Sequence, residues 1–147
     1  MEKVFEIYIK TTPERLWEAI TDSEIRSKYQ FGAKVTSDWK PGSKFEMAAG
    51  DFPLGEGEIL EVDPPRRLVQ TMVALWGEDV KAEGTSRVTW DIEPVEDSCR
   101  LTVTHDQLRE GANDQLYGGW PMILSGLKTW LETGELLTTP GSLMWVG

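Results

Sequence analysis

The apolar residues of the second half of the chain change their spacing once, from every second position to every third or fourth. Val88, Trp90 and Ile92 alternate with Thr89, Asp91 and Glu93. After a turn over Pro94 to Ser98, Leu101, Val103 and His105 alternate with Thr102 and Thr104. Period two marks half-buried strands, and two such runs joined by a short turn mark a hairpin. Leu116, Trp120, Ile123, Leu124, Leu127, Trp130 and Leu131 then recur at spacings of three and four, one broad apolar stripe on a helix. Gly134 stands where a C-terminal glycine stops a helix. Pro121 either occupies the first turn of this helix or kinks one begun near Asn113 or Asp114. A run of strands that ends in one long apolar-striped helix must lay that helix on the sheet, because nothing else is long enough to cover its apolar face.

The first half of the chain supplies the other edge of that sheet. Phe5, Ile7 and Ile9 share one face of a strand, with Glu6, Tyr8 and Lys10 on the other. Thr12 offers an N-cap hydroxyl, Pro13 suits the first helical position, and Leu16, Ala19 and Ile20 follow at helical spacing with Trp17 beside them. Thr21 and Glu24 have the spacing of a capping box and predict a second short helix through Ile25 and Tyr29. Lys40 to Ser43 is a turn and Lys44 to Met47 alternates after it. Gly55 to Val62 is a strand ended by Asp63-Pro64-Pro65, and Arg67 to Val73 is the next. The charged stretch from Trp76 to Ser86 is expected to be a long hairpin loop. The fold class is therefore α+β: a curved antiparallel sheet of six or seven strands around a long C-terminal helix, with two short helices after the first strand. Residues 1–137 form one domain. Residues 138–147 form an apolar tail whose Leu143, Met144, Trp145 and Val146 are expected to dock on the domain or on a neighbour. A sheet curved about one helix does not close its centre, and the space left is a small-molecule site in type.

Composition narrows the partners. Hydrophobic residues at 39% and charged residues at 27% fit a globular chain, and 147 residues suffice for a real core. A net charge of −10 repels phosphate backbones and anionic lipid surfaces, so neither nucleic acid nor membrane is an expected partner. No run approaches the roughly 20 apolar residues of a membrane span. The opening residues pass straight into a strand without a basic-then-apolar leader, which predicts a cytoplasmic protein. Cys99, the single cysteine, excludes an internal disulfide and a multi-cysteine metal site. Seven tryptophans are either ordinary core or the border of a polar or ligand-filled space, since each must place an indole N–H.

Three segments carry a family resemblance: Thr12-Pro13-Glu14-Arg15-Leu16-Trp17-Glu18-Ala19-Ile20-Thr21-Asp22, Glu61-Val62-Asp63-Pro64-Pro65-Arg66-Arg67-Leu68, and Gly119-Trp120-Pro121 with Leu127-Lys128-Thr129-Trp130-Leu131-Glu132-Thr133-Gly134. Together they resemble the START-like (SRPBCC) superfamily, whose helix-grip fold is shared with the birch pollen allergen. Within it the chain is similar to the heat-shock-protein-90 ATPase activator homologue-like family. The resemblance covers almost all of residues 3–137. It implies the fold and a hydrophobic cavity, but no particular chemistry, because superfamily members bind different ligands and only some are enzymes.

The chemistry-bearing residues form no catalytic set. His105, the one histidine, faces inward on the last strand. It is either a proton shuttle or hydrogen-bond donor to a ligand, or a satisfied core or rim histidine. One His, one Cys and scattered carboxylates have no metal-ligand spacing, so no metal and no cofactor is expected. Glu56 and Glu58 share a face in a regular strand, with Glu61 on the other. Gly55-Glu56-Gly57 lacks the rest of a dinucleotide fingerprint. Asp63-Pro64-Pro65-Arg66-Arg67 reads as a rigid turn whose arginines pair with nearby acids. The site argument is collective. Trp17, Trp39, Phe45, Met47, Trp90, Val103, His105, Trp120, Ile123, Leu124 and Leu127 are the candidates for lining a cavity, some of them plain core. The leading function is a binding module for a small hydrophobic or amphipathic molecule. The alternatives are a cyclase or hydrolase using His105 as acid–base, and a co-chaperone-like or regulatory module. A homodimer and a chaperone partner are further candidate associations.

Overall fold

The computed structural model describes residues 1–142, so Leu143, Met144, Trp145 and Val146, and with them the docking expected of the tail, lie outside the described residues. The elements follow in the order β1 (Lys3–Ile9), α1 (Pro13–Thr21), α2 (Ser23–Tyr29), β2 (Lys34–Ser37), β3 (Lys44–Ala49), β4 (Phe52–Asp63), β5 (Arg67–Ala74), α3 (Glu78–Lys81), β6 (Thr85–Val95), β7 (Ser98–Asp106), a 3-10 turn (Asp114–Leu116) and α4 (Trp120–Thr133). The seven strands form one antiparallel sheet in the order β1-β7-β6-β5-β4-β3-β2. Only the first strand leaves sequence order, pairing with the last, and this brings the chain's start beside α4.

The hairpin of β6 and β7 has the register its alternation demands. Val88 faces His105, Trp90 faces Val103 and Ile92 faces Leu101, and all six side chains are buried. Helix α4 has Pro121 in its first turn and no kink. It ends at Gly134 in the left-handed conformation (φ 77°), whose N–H returns to the Trp130 carbonyl. Leu116 belongs to the 3-10 turn before α4, so the stripe begins one element earlier than the helix itself.

Local chemistry departs from expectation in three places. Thr12 caps α1 as expected, accepting the Arg15 N–H at 3.2 Å. Asp22, and not Thr21, caps α2. Its carboxylate accepts the Ile25 N–H at 3.0 Å, while Thr21 donates to the Trp17 carbonyl as the last residue of α1. A single extended residue thus serves both helices, and an anionic oxygen is the stronger acceptor at a helix start. The stretch from Trp76 to Ser86 contains the helical turn α3, because Val80 is fully buried and pulls the chain inward. Glu61 is exposed like Glu56 and Glu58 instead of facing the other way. The register of β4 on β5 shifts between Ile59 and Glu61, and such an irregularity resets which face follows. Arg67 then reaches both Glu61 (2.9 Å) and Asp91 (2.7 Å), and Arg66 reaches Asp63 (2.6 Å).

Two glycine positions shape the concave side. A Cβ on Gly57 would stand 1.9 Å from the Thr71 carbonyl oxygen, so β4 and β5 approach there as only glycine permits. A Cβ on Gly126 of α4 would stand 3.1 Å from the Tyr29 Cβ, so α2 lies close on the helix. The Tyr29 hydroxyl donates to the Ala19 carbonyl at 2.8 Å, and burial pushes its pKa up to about 12. Tyr29 thus locks α1, α2 and α4 together and fixes the direction in which α2 points its remaining side chains.

Candidate functional site

A hollow of about 390 Å³ lies between the concave face of the sheet, α2 and the start of α4. That volume is within the range of small-molecule sites, roughly 300–1,000 Å³. Phe45, Met47, Leu54 and Met72 form its sheet wall, and Val88, Trp90 and His105 continue it toward the helix side, where Trp120 and Ile123 close it. Gly55 has a part in this. A Cβ there would come within 2.3 Å of the Met72 Cε, so the missing side chain is the space that Met72 occupies.

Six of the candidate residues therefore meet around one space: Phe45, Met47, Trp90, His105, Trp120 and Ile123. Five do not. Val103 on β7 and Leu124 and Leu127 on α4 are buried in closed core, toward the end of α4 that is held at the first strand by Lys128 donating to the Tyr8 carbonyl and Glu132 accepting the Lys10 N–H. Trp17 is half-buried on α1. Trp39 packs edge-on against Phe45 from behind the wall, with ring centroids 6.0 Å apart.

His105 is the centre of a fixed chain of hydrogen bonds. The Trp120 indole N–H donates to Nδ1 at 3.2 Å, which leaves the proton of the neutral ring on Nε2. Nε2 then donates to the Ser86 hydroxyl at 2.8 Å, and Ser86 donates to the Met72 carbonyl at 3.3 Å. Burial lowers the His105 pKa to about 4, partly offset by Asp106. Protonation would set two donors face to face at Nδ1, so the ring is held neutral and both nitrogens are engaged. The tryptophans are tied into the same arrangement, with Trp90 standing edge-on to Trp120 at 5.2 Å.

Apart from His105, the polar residues of the wall are not among the candidates. Arg26, on α2, lines the hollow at 2% exposure. Its Nε donates to the Gln30 side-chain oxygen (2.5 Å) and its Nη1 to the Ile20 carbonyl (2.7 Å), and its guanidinium carbon lies 4.9 Å from the centre of the Trp90 ring. Burial lowers its pKa from the usual arginine value, though a guanidinium keeps its charge in proteins. Gln70, also 2% exposed, lines the hollow with its side-chain carbonyl unpartnered, and the Trp90 indole N–H is buried without a partner as well. A signal for each was present. Arg26, Tyr29 and Gln30 are three and four apart, the buried face of a helix. Gln70 and Ser86 sit on the inward parity of their strands, between Leu68 and Met72 and before Val88 and Trp90.

The open side is bounded by Phe31, Trp76, Gln115 and Leu116. Phe31 has φ 57°, unusual for a bulky residue, and its ring lies against Gly119, where a Cβ would stand 3.1 Å away. The Trp76 indole donates to the Gln115 side chain at 3.3 Å across this opening. Behind it, Glu83 joins the hairpin connection to the segment before α4, pairing with Arg109 at 2.7 Å and accepting the Asn113 N–H at 3.1 Å. Both contacts hold its carboxyl below the usual range. No group of three or more His, Cys, Asp or Glu side chains fit to hold a metal occurs among the described residues.

With this geometry in hand, comparison with known proteins places the chain. Residues 10–132 match the family described as activator of Hsp90 ATPase homolog 1-like protein. The chain belongs to that family. Its helix-grip fold is that of the START-like superfamily. Among solved structures, CalU16 from Micromonospora echinospora is 19% identical with a TM-score of 0.75, over 98% of this chain and 80% of that one. MLL2253 from Mesorhizobium loti is 24% identical with a TM-score of 0.76, over 92% and 100%. PFC0360w from Plasmodium falciparum, described as an HSP90 activator, is 24% identical with a TM-score of 0.74, over 89% and 96%. No curated protein matches the chain. At these identities the family member and its structural relatives share the fold, and their activities are their own. No helix among the described residues is long and apolar enough to cross a membrane.

Proposed function

We propose that this member of the activator of Hsp90 ATPase homolog 1-like family is a binding domain for a small hydrophobic or amphipathic molecule held between the sheet and α4. The observation that carries the reading is the hollow of about 390 Å³, walled by apolar side chains and bordered by buried polar atoms that lack partners. Packed interiors seldom hold so large a void, and buried polar groups without partners are costly, so the two together favour an occupant that fills one and satisfies the other.

N-phenyl-1-naphthylamine, an uncharged dye that brightens in apolar surroundings, tests this reading. Saturable uptake with about one dye per chain is the expected result, as is a retained small molecule in native mass spectra of gently purified protein. No uptake by folded protein would remove the proposal.

The cyclase or hydrolase reading needs His105 to exchange a proton. Both of its nitrogens are committed, and its pKa is near 4, below the range where a general base is useful at neutral pH. The co-chaperone-like reading rests on the family name and on the description of the Plasmodium protein, and no contact among the described residues adds to it.

A further inference from the structure

Apart from the exposed Arg15, the arginines of this chain divide by their surroundings. Arg66, Arg67, Arg87, Arg100 and Arg109 all pair with carboxylates near the surface. Arg26 is the buried one, and no carboxylate lies within ion-pair distance of it among the described residues. It is met by the Gln30 and Ile20 oxygens, the face of Trp90 and the Tyr29 phenol. These dipoles keep the charge tolerable, but they do not neutralise it. A buried charge without a counter-charge is costly. Arg26 nonetheless lines the hollow, where a ligand would supply what the fold does not.

Two further groups face the same space with unused capacity. Gln70 pairs with Val88 across β5 and β6, one step along the inward face from Trp90. Its amide has a buried oxygen without a partner, while its N–H₂ donates to the Thr71 carbonyl at 3.4 Å. The Trp90 indole N–H is likewise unpartnered. The wall beyond them is hydrocarbon and thioether: Phe45, Met47, Leu54 and Met72.

We propose that the ligand is an amphipathic acid, with its carboxylate on Arg26 beside the Trp90 indole N–H and its hydrocarbon body against the methionine-rich sheet wall. This rests on the reading of the hollow as a ligand site and adds the charge of what fills it. The chain's net charge of −10 opposes anions at long range, so selection for an acid has to arise at this one guanidinium. Charge-assisted hydrogen bonds in a water-poor site are strong enough to do so.

The test is calorimetric titration of matched pairs at neutral pH: octanoate against octan-1-ol, and 2-naphthoate against 2-naphthol. The acid is expected to bind more tightly than its alcohol by about 10- to 100-fold in at least one pair, the size of a charge-assisted contact. In Arg26→Met that preference should collapse to about unity while the alcohol keeps its affinity. Gln70→Leu, which removes an acceptor and no free donor, should leave the preference for the acid in place. If alcohols bind as well as acids in the wild-type protein, the hollow stands as a ligand site and the acid assignment falls. If neither acids, alcohols nor the uncharged dye bind, both fall. Should Arg26→Met fail to fold, the wild-type pairs decide by themselves. A purely structural Arg26, tying α2 to the Ile20 carbonyl, predicts no acid preference in any of them.

Discussion

The two halves of α4 rest on the same sheet with the same kind of apolar stripe, and they end in different environments. Its C-terminal half is shut. Leu127 and Leu131 are buried in one continuous core with Ile9, Leu16, Ile20, Leu101 and Val103, and Lys128 and Glu132 clamp that half to β1. Its N-terminal half carries Trp120 and Ile123 over a hollow. The lesson is that an apolar stripe does not decide between core and cavity; what faces it does. Opposite the C-terminal half, the chain's own first strand and first helix fill the space. Opposite the N-terminal half stand Gly55 and the long, unbranched methionines, which shape a wall without filling the volume beyond it.

Strand β7 crosses from one region to the other, which makes the comparison open to experiment. The largest effect should come from the shut half. Leu127→Ala is expected to cost about 2–5 kcal/mol in urea unfolding, because a fully buried leucine leaves an unfilled cavity. A cost under about 1 kcal/mol would mean that this half is loosely packed.

Next is the pH response of His105 at the hollow end of β7. Its folded pKa, about 4, lies below the unfolded value near 6.5, so the unfolded chain binds the extra proton between those pH values. The stabilisation from the neutral ring is thus fully present above about pH 6.5. It is lost progressively as pH falls toward 4, by about 3 kcal/mol in all. Stability of His105→Gln measured over the same range should lack this slope. An equal slope in both proteins would place the titration on other groups.

The smallest of the three belongs to the hollow's own roof. Ile123→Ala should cost less than about 2 kcal/mol, since a side chain that already borders a void has fewer neighbours to lose. It should also raise uptake of the bulkier of two apolar dyes. A cost equal to that of Leu127→Ala would erase the distinction between the halves.

Much of this was legible from the residues alone, and the reason lies in how local the signals are. The β6–β7 register follows from alternation, and the end of α4 follows from Gly134, whose left-handed φ needs no partner elsewhere in the chain. The swap of Thr21 for Asp22 as a cap was a near miss of the same local kind, since both residues can accept a backbone N–H. The failures were of another type. Glu61 was assigned to the wrong face because a register shift in β4 is set by the strand beside it. Arg26 is not legible locally, because a charge on a short helix normally marks a solvated face and Tyr29 packed on Gly126 turns that face inward. Gln70 and Ser86 carry a local signal, polar residues on an apolar parity.

The sequence by itself determined that a curved antiparallel sheet would hold a helix ending at Gly134, because periodicity, caps and turns act within a few residues. Only the tertiary structure decided where that helix leaves a space and which groups face it. Trp17, Trp39, Val103, Leu124 and Leu127 went to core or to the far side of the wall, while Arg26 and Gln70 came to the hollow. Those outcomes depend on which distant segments fill the volume opposite each side chain, and no spacing along the chain encodes a volume.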